Sequence, residues 1–123
     1  MMMVQYLLDA DAEVTVPGVT APLTAFGDIV EPVALALDQE RRVSEQINQL
    51  AATARTESDF TSEQFVQWFI KEQVEEVATM SDLLRVVERS RDDPMDVENW
   101  LAREHSGGET ADPTAPQPAG AGA

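Results

Sequence analysis

The sequence predicts an all-α protein, a helical bundle, on three observations. Two long stretches carry apolar residues stepping by four and three, as a packed helix face does. Capping and breaking residues sit at the ends of those stretches. The one segment with strand-like alternation, around Val14 and Val16, has no second strand to pair with.

From the N-terminus, Met1 to Leu8 reads as the last turns of a helix, cut off at Asp9-Ala10-Asp11. "EVTVPGVTAPLTAFGD" then turns at Pro17-Gly18 and carries Pro22 and Gly27, which makes it an extended crossover over a bundle. The first long helix is capped by Asp28 or opened through Pro32 and continues to about Ser58. Its stripe is Val33, Leu37, Glu40, Ser44, Ile47, Ala51 and Ala54, with Val43 and Leu50 on the flank.

"TSEQ" places Thr61 as the next cap, with Gln64 closing a capping box, and that helix runs to about Arg91. One face reads Phe65, Phe69, Gln73, Glu76, Met80, Leu83, Val87; a second reads Val66, Ile70, Val74, Val77, Leu84. Apolar on two flanks, it must touch more than one neighbour. Two such helices joined by a few residues should form an antiparallel hairpin. In "DDPMDVENWLAREH" Asp93 caps, Pro94 takes the first position, and Val97, Trp100 and Leu101 form the apolar side. Gly107-Gly108 ends this piece, so residues 1–106 form one helical domain and 107–123 a disordered Pro/Ala/Gly-rich tail.

A chain of 123 residues with 43% hydrophobic residues suffices for one small domain. The 23 acidic against 8 basic residues give a net charge of -15, which argues against nucleic acid and anionic membrane surfaces and for cations or basic partners. There is no cysteine, hence no disulfide framework and no thiolate metal site. "MMMVQYLLDADAE" is neither a secretory signal nor a membrane span, so a soluble, cytoplasmic protein is expected.

Glu40 on one long helix, and Gln73 with Glu76 on the next, interrupt apolar stripes. Antiparallel packing brings them face to face, with no Lys or Arg on either seam to compensate. A hard cation would do so; alternatively the carboxylates take up protons or face a wet cleft and fix the helix register. Carboxylates with an amide and no thiol suit iron, manganese, magnesium or calcium. Glu72 and Glu75 flank the spot, with a solvated face as their other reading. His105 reads as a surface residue, and Asp9, Asp11 and Glu13 lack the glycine and terminal glutamate of a calcium loop.

At these residues a resemblance emerges: "ALALDQERRVSEQINQLAATARTESDF" followed by "EQFVQWFIKEQVEEVATM" resembles the third and fourth helices of bacterial non-haem ferritin, with similarity from Met1 to about Glu104. The resemblance implies an incomplete ferritin-like four-helix bundle: the end of the second helix, a long crossover, the third and fourth helices, and a short fifth. It implies an iron-storage subunit that oxidises Fe2+ with O2 at a non-haem di-iron centre and holds ferric mineral in a hollow multi-subunit cage. By position Glu40 and Glu76 match di-iron ligands and Gln73 the amide beside them; Glu72 and Glu75 match an adjoining third iron site. Glu76, where haem-containing relatives carry a His, argues against that branch.

Relative to the family, the first helix with its Glu ligand and most of the second with its Glu-x-x-His pair have no counterpart, which is half of the di-iron centre. Weak ferroxidase activity is therefore expected, together with self-association or pairing with full-length subunits. The alternative is a non-catalytic acidic helical protein that associates with such subunits or other helices. A native start upstream of Met1 is a further expectation, since "MMMVQYLLDAD" begins inside a helical pattern without a cap.

Overall fold

A computed structural model of the chain describes residues 1–104 and 112–120. Among these residues it contains four helices and no strand: α1 (Met2–Asp9), α2 (Val30–Thr56), α3 (Phe60–Arg89) and α4 (Pro94–Glu104). The chain divides into two units, one holding α1 and the C-terminal segment, the other holding α2, α3 and α4.

In the first unit, α1 ends where Asp9-Ala10-Asp11 predicts. Asp11 takes the left-handed conformation, φ 55°. Its N–H donates to Leu8 O at 3.1 Å and the Ala12 N–H to Leu7 O at 2.9 Å, which satisfies two carbonyls that a helix end otherwise leaves open. Beyond it, residues 12–26 are neither helix nor strand. In the C-terminal segment Asp112 Oδ1 accepts from the Thr114 N–H and hydroxyl, and residues 112–120 contain no helix or strand. His105 and Gly107-Gly108 lie outside the described residues.

The second unit is built on the α2–α3 hairpin. Asp28 opens α2, its Oδ1 accepting the N–H groups of Val30 at 3.0 Å and Glu31 at 3.1 Å, while Glu31 reaches back to the Gly27 N–H at 2.7 Å. These bonds satisfy the first orphan donors of the helix. At the far end, Ser58 adopts φ 57°, its N–H donates to Arg55 O at 3.1 Å and the Asp59 N–H to Ala54 O at 2.8 Å. That left-handed stop ends α2 at Thr56, two residues before the sequence expectation.

The cap of α3 is a correction. Asp59 holds that position, with Oδ1 accepting from the Ser62 N–H at 3.0 Å and Oδ2 from the Ser62 hydroxyl at 2.6 Å. Thr61 lies inside the helix. Because Ser58 reverses the chain so sharply, Asp59 is already outside helical geometry and its carboxylate reaches the first turn before Thr61 can. The expected capping box with Gln64 falls with it; Glu63 instead pairs with the Arg55 guanidinium across the turn, accepting from Nε at 2.8 Å and also from Nη2.

Contacts between Arg55 and Glu63 near the turn and between Glu40 and Gln73 farther out show that the helices run antiparallel. The seven-residue stripe read on α2 faces inward: Leu37, Ile47 and Ala54 are buried and Val33, Glu40, Ser44 and Ala51 half-buried. The densest packing lies away from the turn, where Val86, Val87 and Val97 gather Ile29, Val30, Val33, Leu83, Leu84, Trp100 and Leu101. Burying a valine such as Val87, 2% exposed, is worth about 1.5–3 kcal/mol.

Helix α4 starts as predicted, Asp93 Oδ1 accepting from the Asp96 N–H at 3.3 Å and Pro94 occupying the first position. Ser90 adds a hydroxyl bond to Asp96 at 2.6 Å, and Arg91 meets Asp28 at 3.5 Å. Among the described residues no helix is long and apolar enough to cross a membrane.

Candidate metal centre

The α2–α3 seam places Glu40 opposite Gln73. The Gln73 Nε2 donates to Glu40 Oε2 at 3.0 Å, to the Glu40 backbone O at 3.1 Å and to Ser44 Oγ at 3.3 Å. The Ser44 hydroxyl in turn donates to the Glu40 backbone O at 2.9 Å, as a serine does when it reaches the carbonyl one helical turn back. All three residues are half-buried. One turn before Gln73, Phe69 stacks edge-on against Phe65 at 5.3 Å and Trp68 at 5.0 Å between ring centroids, an aromatic layer beside the polar pair.

The sequence-predicted residues separate into two groups. Glu40 and Gln73 meet; Glu72 is half-buried, and Glu75 and Glu76 are exposed. Among the described residues no polar or charged side chain is fully buried, and no cluster of three or more Asp, Glu or His residues is positioned to hold a metal ion. Beside the pair runs an open groove of about 500 Å³, walled by Arg41, Asn48, Ile70 and Val74 among others.

Ser44 was not among the predicted site residues. It stood in the stripe, four residues after Glu40, and that spacing was the available signal. Chemically, the pair offers carboxylate and amide oxygens with a hydroxyl behind them. Such donors are of the type a hard divalent cation takes, and the set is partial: Glu40 alone meets the amide, while Glu76, a turn along α3, is exposed.

A helical hairpin with a carboxylate and an amide facing across its seam, and further carboxylates within a turn, is consistent with one half of a carboxylate-bearing helical bundle. The model of the ferritin-like domain matches residues 1–90, and the chain belongs to this family. Ferritin BfrB of Mycolicibacterium smegmatis is 52% identical over 120 residues, covering 98% of this chain and 66% of that protein. Ferritin BfrB of Mycobacterium tuberculosis is 51% identical over 104 residues, covering 85% and 58%. Among solved structures, an open pore ferritin from the hyperthermophilic archaeon Archaeoglobus fulgidus superimposes with a TM-score of 0.76 at 25% identity, over 85% of this chain and 64% of that one. The chain thus spans 58% to 66% of the length of these relatives.

Proposed function

We propose that the chain acts as a non-haem ferritin subunit, taking up Fe2+ and oxidising it with O2 at a carboxylate centre, and storing the ferric product in a cage of like subunits. The observation that carries this reading is the Glu40–Gln73 contact across the hairpin of a ferritin-like fold. Iron is the substrate: each Fe2+ gives up one electron and O2 is the acceptor. Glu40 and Glu76 neutralise the cation and Gln73 lends its amide oxygen, while Glu72 and Glu75 serve an adjoining iron. A net charge of -15 raises the local concentration of cations around all of them.

A two-iron centre needs ligands on both sides of the bundle, and Glu40 and Gln73 supply only one contact across this hairpin. The hairpin by itself is therefore a weak site. The exposure of Glu75 and Glu76 favours a second reading, a non-catalytic acidic helical protein that associates with full-length ferritin subunits or other helices.

The two readings separate in one experiment on the 123-residue chain. Fe2+ is added without oxygen, bound metal is measured, and O2 uptake is then followed beside Glu40→Ala/Glu76→Ala. Binding and slow oxidation that the double substitution abolishes support the ferritin reading. Binding indistinguishable between the two proteins overturns it.

A further inference from the structure

We propose that Ser44 is a positioning residue that fixes which end of the Gln73 amide faces the cation, an inference that rests on the metal-site reading of Glu40 and Gln73. A glutamine side chain can present either its oxygen or its NH2 group to a neighbour. Here three oxygens surround the near end: Glu40 Oε2, the Glu40 backbone O and Ser44 Oγ. Two of these are acceptors in any arrangement. The third, a hydroxyl, could have donated to an amide oxygen instead.

Ser44 cannot do so because its hydrogen is already committed to the Glu40 backbone O at 2.9 Å. It therefore meets Gln73 as an acceptor, and all three neighbours select the NH2 end. The amide oxygen is then the end left for a hard cation, and Glu40 keeps its second carboxylate oxygen. Without the hydroxyl, Gln73 loses one of its three anchors and Glu40 O one donor. The glutamine regains rotamer freedom that the bound geometry must again remove.

The probe is Mn2+, a hard divalent cation of similar ligand preference, titrated by electron paramagnetic resonance, together with nuclear magnetic resonance of the Gln73 side-chain amide in metal-free protein. Ser44→Ala is expected to weaken Mn2+ binding by about tenfold, the usual scale for a group behind a ligand. The two Gln73 amide protons should converge in shift and exchange faster in the same variant. Ser44→Thr keeps a hydroxyl able to bond the carbonyl four residues back and should restore both signals. Alanine is the better helix former, and helix content by circular dichroism checks that the fold persists. If Glu40→Ala leaves Mn2+ affinity unchanged, the site reading itself is wrong. If Glu40→Ala abolishes binding while Ser44→Ala matches wild type in affinity and amide signature, the site stands and the role of Ser44 is refuted.

Discussion

Gln73→Glu tests the centre of the molecule most directly, because it replaces a donor by an acceptor at a point where three acceptors converge. Two losses combine. The hydrogen bond to the Glu40 carboxylate is worth about 1.5–3 kcal/mol, as bonds to charged groups are. Two carboxylates roughly 4 Å apart then repel by about 1 kcal/mol in water-like surroundings and by up to about 4 in a drier site. Half-burial places the pair toward the watery limit, so the metal-free variant should be less stable by about 2.5–4 kcal/mol. Urea unfolding at pH 7 measures this. Gln73→Met, which removes the donor without adding charge, isolates the bond; the further loss in Gln73→Glu is repulsion and should shrink in high salt. Mn2+ should reverse the order, since two facing carboxylates bind it better than one with an amide, and ligand at a hundredfold its Kd returns about 2.7 kcal/mol. Equal stability of wild type and Gln73→Glu in metal-free buffer would refute the claim that Gln73 donates to Glu40.

Other outcomes follow from the caps and the open face. Ser58 holds φ 57°, a conformation costly for a residue with a Cβ, so Ser58→Gly should stabilise the hairpin by about 0.5–1 kcal/mol in thermal or urea unfolding. Unchanged or lowered stability would mean that the turn does not need the left-handed residue. The Ser62 hydroxyl, and after it the Ser62 N–H, hold the Asp59 carboxyl below its ordinary value of 3.8. A depressed folded-state value contributes stability that is present above the unfolded value and lost as pH falls through the folded one. Asp59→Ala should therefore lower the melting temperature at pH 7 and narrow its gap to wild type below that range; parallel curves from neutral to acid pH would contradict this. Val74 is 68% exposed beside half-buried Ile70 and Val77, so the chain should associate at micromolar concentration and Val74→Glu should shift it toward monomer in sedimentation. A wild-type monomer would count against the groove as an interface.

The helices themselves were legible because each was signalled twice, by period and by punctuation. Val33 to Ala54 gave the inward face of α2, and Asp28, Asp93 and Pro94 marked starts that the structure keeps. The register of the seam followed from the same pattern: Glu40 and Gln73 each broke a stripe, and they meet. At the turn, two residues compete for one role. Thr61 opens a good capping box on paper, yet a cap is whichever side chain reaches the first free N–H groups, and the reversal at Ser58 hands that to Asp59. Burial at mid-height was not legible at all. Periodicity says which residues share a face; how deeply they are buried depends on what covers that face, which is why Val74 and Glu76 are exposed on stripes that read as inward. The role proposed for Ser44 is not legible in the sequence, because a small polar residue in a stripe reads as a spacer, and only the partner on the other helix gives its hydroxyl something to orient.

The use of an amide rather than a third carboxylate opposite Glu40 has a physical consequence for the metal-free protein. A half-buried carboxylate at a helix seam would oppose folding unless something donated to it. Gln73 donates without adding charge, and Ser44 satisfies the backbone oxygen at the same level; among the described residues no buried side-chain nitrogen or oxygen lacks a partner. The hairpin can therefore close before any cation arrives, unlike small metal sites whose ligands repel one another until the metal is bound. On the proposed reading, a cation would meet a carboxylate already aimed and an amide already turned, and its binding would have little folding work left to do. Under the function proposed above, such a site would suit an ion that is taken in, changed and passed on, because release of the ion would leave the seam intact. A permanently held structural ion would have allowed a more highly charged seam, with two facing carboxylates in the positions of Glu40 and Gln73.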